Sequence, residues 1–531
     1  MGSRRQSAQQ GNRESGGDEE NAAGHGVDRT CSDPHSVSVA GCVNLWPPAD
    51  RTRPAARGYA LSVPPADRRE PAWSGRRLHF VGIGGAGMSG LALIAARLGA
   101  AVSGSDRGES AYLAPLRAAG IAPAIGPHDA ANVPDGAEVV YSTAVPAGNP
   151  ERIAARADGG GGELHRAALL AQIAALKRCL AVSGTHGKTT TTGMLVEILR
   201  GCGMDPAYAV GAELRGTGRN ADWGEGEWIV IEADESDRSL LAFDPEIAVL
   251  TNAELDHHST YASLTDLRET FARFLAGARA AVVWDRPDLC AIARGAAQLV
   301  PYDAADPSLT PAGTAFDWDG RRVTLAVPGA HNAVNAAGAL TAAVLAGADP
   351  DAAVAAIAGF RGARRRQELL GTSAAGAAVY DDYAHHPTEV AATLAALRTL
   401  APRRLVAVFQ PHLFSRTRAL AREFGVALAA ADVCGVVGVY PARERAEDFP
   451  GVDGHLVAAA AADAGAGREV AWMPSLADAE RWLRGVLRDG DLLVAMGAGN
   501  IDTLGRALVR EGTADGRSAA ATDSRSDEDR P

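Results

Sequence analysis

The stretch Val182-Ser183-Gly184-Thr185-His186-Gly187-Lys188-Thr189-Thr190 constrains this chain more than any other. It joins the apolar run Cys179 to Val182 to a helical run from Thr190 to Leu199, so it reads as strand, glycine turn, helix. Such a turn offers backbone N–H groups and a helix N-terminus to phosphate. Lys188 adds a compact cation and Thr189 a hydroxyl for magnesium. Composition sharpens the point: of 52 Lys and Arg residues only Lys177 and Lys188 are lysines, and one of them stands directly after the turn. Val182 occupies the place of the first glycine in GxxxxGK[ST], so this is a shortened phosphate loop. Lys188 is read as a residue of a surface loop.

A second glycine loop, Gly82-Ile83-Gly84-Gly85-Ala86-Gly87, fits G-x-G-x-x-G between a strand and a helix. Asp106 ends the next strand, where a dinucleotide fold places its ribose-binding acid. Alone, this pattern points to a nicotinamide dehydrogenase. Its physics is broader, because glycines here only let a backbone approach a pyrophosphate. Any nucleoside diphosphate conjugate meets that requirement, and a simple dehydrogenase has no use for a second phosphate loop at Gly184.

A chain of 531 residues suits three or four domains. The net charge of −12 argues against nucleic acid as a partner. No run of 18 apolar residues occurs, so no membrane span is expected. The six cysteines are scattered without a Cys-x-x-Cys pair, as in a cytoplasmic protein with reduced thiols. Arg4-Arg5 lacks the apolar core of an export signal behind it. Nothing in the sequence sets an oligomeric state.

Between polar segments 1–75 and 513–531, whose composition predicts disordered tails, short apolar strands alternate with Ala/Leu-rich helices. That alternation predicts an α/β protein with largely parallel sheets, in three domains at 76–177, 178–360 and 361–512. Strands are expected at Leu78 to Val81, Ala101 to Gly104 and Val139 to Ser142 in the first domain. Those of the second are Cys179 to Val182, Trp228 to Ile231, Ile247 to Thr251 and Ala281 to Trp284. Those of the third are Ala377 to Asp381, Leu405 to Phe409, Val433 to Val439 and Leu492 to Met496.

Further polar motifs follow these strands. Glu232-Ala233-Asp234-Glu235-Ser236-Asp237 sets acids at a strand end, either an exposed acidic turn or, beside a phosphate loop, a magnesium seat. Thr251-Asn252-Ala253-Glu254-Leu255-Asp256-His257-His258 is weak alone, since imidazole is an unusual magnesium ligand. Asn332 and Asn335 share one face at the start of an Ala-rich helix, as caps or as contacts to a nucleoside. Asp381-Asp382-Tyr383-Ala384-His385-His386-Pro387 and the run from Gln410 to Arg418 stand where open α/β sheets bind ligands.

Taken together and in this order, the motifs from about Leu78 to Arg510 resemble the Mur ligases of peptidoglycan synthesis. The resemblance implies Rossmann-like first and third domains around a central P-loop ATPase-like domain. It implies ATP and Mg²⁺ as cofactors, with UDP-N-acetylmuramate and L-alanine as substrates joined through an acyl phosphate. Gly85, Gly87, Asp106 and Arg166 would hold the UDP-sugar. Gly184, Thr185, His186, Gly187, Lys188, Thr189 and Thr190 would wrap the ATP phosphates, and Asn332, Asn335, Arg365, Arg366 and Asp382 would complete the nucleotide site. Thr189, Glu232 and His257 would serve the metal. His385, Arg416 and Arg418 would surround the amino acid and the acyl phosphate. Leu413 and Gln367 depart from residues common in relatives, an arginine and an aromatic respectively. Some sister ligases support the metal with a carbamylated lysine, but Leu264 to Arg279 offers only arginines as cations. A sister ligase for another amino acid or peptide, and a dehydrogenase or nucleotide-gated binding protein, are the competing readings.

Overall fold

Strands apolar on both faces must be sandwiched between helices, and that requirement organises the chain. The computed structural model describes residues 73–157, 161–258, 260–465 and 467–509; the C-terminal tail and nearly all of the N-terminal one lie outside them. The first sheet is parallel, in spatial order Ala124–Ile125, Ala101–Asp106, Arg77–Val81, Glu138–Tyr141, Glu163–His165. Its glycine loop runs from Arg77–Val81 into the helix Ala86–Arg97.

The second sheet has the order Leu299–Tyr302, Ala280–Trp284, Ile247–Leu250, Arg178–Ser183, Trp228–Glu232, Ala207–Leu214, Arg219–Asp222, and only the last strand is antiparallel. The third domain's sheet runs Glu368–Thr372, Ala378–Asp382, Asp491–Met496, Arg404–Phe409, Val433–Val437, Glu469–Met473, antiparallel only at its first pair. One face of that sheet packs Leu394, Phe409 and Phe424, the other Leu483, Leu493 and Ile501.

An antiparallel meander, Ala305–Thr310, Gly313–Trp318 and Arg321–Leu325, was not expected from the sequence. Its first strand is exposed throughout and reads Ala-Asp-Pro-Ser-Leu-Thr, so no alternation marks it.

Candidate active site

The central strand Arg178–Ser183 ends between two neighbours, Val182 opposite Glu232 and Ser183 opposite Leu250. The phosphate loop therefore leaves the sheet flanked by the acidic strand end on one side and by Thr251 and Asn252 on the other. Two glycines are fixed by close approach. A Cβ on Gly184, at φ 134°, would meet Thr251 Oγ1 at 2.1 Å, and one on Gly187, at φ 80°, would meet Asn335 Oδ1 at 2.6 Å. Both positive φ values also favour glycine. Gly187 then caps the helix Lys188–Gly201.

Lys188 is the first residue of that helix and not a surface loop residue; its side chain is 14% exposed. Its Nζ donates to Gly184 O at 2.7 Å and Thr185 O at 3.1 Å, and pairs with the fully buried Glu235 carboxylate at 2.8 Å. Burial alone would lower the lysine's pKa, but Glu235 and the neighbouring acids outweigh it and raise it. Thr189 Oγ1 donates to Glu232 Oε1 at 3.0 Å, and Gly211 N donates to Glu232 Oε2 at 2.7 Å. A hydroxyl and a carboxylate so close form an oxygen donor pair suited to a hard cation such as magnesium. His257, at φ 53°, holds Nε2 3.4 Å from Glu235 Oε1 and 3.8 Å from Asp256 Oδ2.

The third domain closes on this edge. Arg366 Nη2 donates to Thr189 Oγ1 at 3.4 Å, and the guanidinium groups of Arg365 and Arg366 each lie 5.1 Å from the Tyr383 ring. Glu389 reaches His186 Nδ1 at 3.2 Å and accepts the His385 amide at 3.0 Å. Arg416 grips Asp256 with Nε at 3.1 Å and Nη2 at 2.8 and 3.0 Å, both side chains 4% exposed. From the first domain, Arg166 pairs with Asp234 at 3.2 Å, and Asn220 of the central domain donates to Ala86 O.

These contacts frame a cleft of about 790 Å³. The first domain lines it with Gly85, Gly87 and Arg166, and the central domain with Thr185, Gly187, Lys188, Thr189, Glu232 and His257. Arg365, Arg366 and His385 come from the third. Other expected site residues stand behind the lining. Asp106 turns back to accept the Gly84 amide at 2.8 Å, and so shapes the first glycine loop. Asn332 donates to Pro328 O at 2.7 Å and neither asparagine caps its helix, whose cap is Gly329. Asp382 accepts the amides of Gln367 and Ala384 at 2.8 and 2.7 Å, and its burial pushes its pKa up to about 6. Gly184, His186 and Thr190 belong to the loop and helix behind the lining residues. Arg416 is consumed by Asp256, and Arg418 is exposed against the Phe449 ring at 5.2 Å. Glu235, Asp256 and Glu389 pair with Lys188, Arg416 and His186, roles that no sequence motif assigns to them singly. The spacing of Glu389 four after His385 at a helix start was the available signal.

His385 lines the cleft as a neutral imidazole. Burial first, with Arg416 and His412 adding to it, pushes its pKa down to about 3. Its Nδ1 lies 3.0 Å from Tyr383 O, a carbonyl that can only accept, so the neutral ring carries its proton there and leaves Nε2 as an acceptor.

Comparison with known proteins places this geometry. Residues 77–178 match the Mur ligase family catalytic domain, 182–343 the Mur ligase middle domain, and 365–499 the Mur ligase glutamate ligase domain. The chain belongs to the Mur ligase family. Among relatives of this family, the UDP-N-acetylmuramate–L-alanine ligase of Mycobacterium sp. (strain JLS) is 45% identical over 469 residues, 82% of this chain and 94% of that one. The enzyme of the same name from Streptomyces griseus is 43% identical over 461 residues, 82% and 96% of the two chains. The crystal structure of UDP-N-acetylmuramate–alanine ligase from Thermotoga maritima superposes with a TM-score of 0.72 at 28% identity, covering 83% of this chain and 99% of that one. A murein peptide ligase from Psychrobacter arcticus, at 24% identity and a TM-score of 0.62, shares the Mur ligase fold over 82% of this chain and 99% of that one.

Proposed function

We infer that the chain is an ATP-dependent ligase joining L-alanine to the carboxylate of UDP-N-acetylmuramate, a step of peptidoglycan precursor synthesis. The observation that carries this reading is one cleft lined by a glycine loop of the first domain, a phosphate loop of the second and arginines of the third. The relatives above carry the activity in their names and match nearly their whole length.

A carboxylate resists amines at neutral pH because its oxygen leaves poorly. Transfer of the ATP γ-phosphoryl group to that oxygen makes an acyl phosphate. The amine of alanine attacks the acyl carbon, a tetrahedral intermediate forms, and the acyl C–O bond breaks to release phosphate and leave an amide. For the first step a protein supplies alignment and positive charge. Lys188 and Arg366 flank Thr189 from two domains, which suits them to the transferring group. Thr189 and Glu232, with His257 nearby, would hold Mg²⁺, which when bound offsets phosphate charge. In the second step the neutral His385 Nε2 can accept a hydrogen bond from the attacking amine and so orient it, while the departing phosphate takes the proton. The reading implies a cytoplasmic enzyme; among the described residues no helix is long and apolar enough to cross a membrane.

The test is phosphate release from ATP with UDP-N-acetylmuramate, adding each amino acid, and then preformed peptides, one at a time. Alanine is expected to give the highest kcat/KM. Release driven by a peptide and not by alanine would assign a sister activity instead.

A further inference from the structure

Behind the cleft, the seam between the phosphate loop and the third domain gathers a second set of ligating side chains. His186, Glu254 and His386 bring one ligand atom each within 4.8 Å of one another. The two imidazole centroids are 4.6 Å apart, tilted by 38°. His186 is 9% exposed; its Nε2 lies 3.5 Å from Glu254 Oε2 and is buried without a hydrogen-bond partner. The other nitrogen, Nδ1, faces Glu389 Oε1 at 3.2 Å. A ring that gives its Nδ1–H to a carboxylate presents a more basic Nε2, the arrangement found behind metal-ligating histidines.

We propose that His186, Glu254 and His386 form a binding site for a divalent transition ion, zinc by its donor chemistry, which ties the phosphate loop to the third domain. Two imidazoles and one carboxylate with a fourth position open suit zinc, whereas magnesium prefers an all-oxygen shell. The site is separate from Thr189, Glu232 and His257. Charge favours it, because Glu254 and Glu389 bring two carboxylates that one divalent ion neutralises. Tetrahedral bonds of about 2.0 Å need ligand atoms about 3.3 Å apart, so the cluster closes by side-chain rotation. His386 exchanges its long 3.4 Å contact from the Thr388 amide for the metal. Bound metal then opposes separation of the third domain from the phosphate loop.

The experiment uses the untagged full chain, stripped with chelator and kept in excess Mg²⁺, titrated with Co²⁺ while the visible band of four-coordinate cobalt is followed. His386→Asn keeps a helix cap while removing the ligand, and Glu254→Gln removes the carboxylate charge. Expected are one Co²⁺ per chain, displacement by Zn²⁺, affinity at least about tenfold weaker in each variant, and no change in Glu232→Gln. Thermal melts in metal-free buffer show which variants fold, and one folded variant suffices. No band up to about 100 µM Co²⁺, a band unchanged in the folded variants, or a band lost on Glu232→Gln alone would overturn the proposal.

Discussion

Replacing Lys188 by Met removes a buried ion pair and the catalytic role proposed above together, because the same Nζ would serve both. It pairs with a fully buried Glu235 carboxylate at 2.8 Å while its own side chain is 14% exposed. Removing one partner of such a pair leaves a charge without compensation, at a cost of about 3–5 kcal/mol. A domain's whole stability is roughly 5–15 kcal/mol, so this loss should be plain in urea melts. The catalytic loss is independent. A preorganised cation aimed at a transferring group contributes about 10²–10³ in kcat. The double variant Lys188→Met with Glu235→Gln separates the two. Neutralising Glu235 removes the orphaned charge and should restore most of the lost stability, while alanine-dependent phosphate release stays at least about a hundredfold down. Urea melts and a coupled phosphate assay on wild type, both single variants and the double complete the cycle. A double variant within about tenfold of wild-type turnover would refute the catalytic role of Lys188. A double no more stable than Lys188→Met would refute the pairing argument.

Three further outcomes follow from the same geometry. Asp256→Asn strands the buried Arg416 guanidinium and should cost about 3–5 kcal/mol in urea melts; Arg416→Lys should not be tolerated in its place, since a point charge cannot replace the fork. In the first domain, burial pushes the Glu151 pKa up, but hydrogen bonds from His79, Asn132 and Ser105 outweigh it and hold it at about 2 against an ordinary 4.5. Its folded pKa is depressed, so about 3 kcal/mol of stability is present above pH 4.5 and lost as pH falls towards 2; Glu151→Gln should flatten that part of a pH–stability curve. Finally, stripping CO₂ and bicarbonate should leave the rate unchanged. The helix Leu264–Ala276 carries no lysine, and Lys177 is held by Gly224 O and Gly226 O at the other end of the central strand. A bicarbonate-dependent rate would contradict this.

The parallel sheets were legible because apolar runs such as Cys179 to Val182 are buried on both faces, a pattern with few alternatives. Edge strands such as Glu469–Met473 and the exposed Ala305–Thr310 were not, because one residue of the first and none of the second is buried. At the site, glycine loops could be read because backbone conformation restricts residue type locally. Side-chain partners could not. Asp106 turning to the Gly84 amide, Arg416 committed to Asp256 160 positions away, and Lys188 buried on Glu235 are all decided by tertiary packing. The resemblance supplied the set of residues, and the fold decides which of them face the cleft.

The central claim is that the substrate carboxylate is phosphorylated before the amine attacks, and oxygen transfer tests it directly. UDP-N-acetylmuramate labelled with ¹⁸O in both carboxylate oxygens is turned over once with ATP and L-alanine. Mass spectrometry then follows the label. An acyl phosphate breaks at its acyl C–O bond, so each turnover should place one ¹⁸O in the released phosphate and keep one in the new amide. Released phosphate free of ¹⁸O would contradict the account.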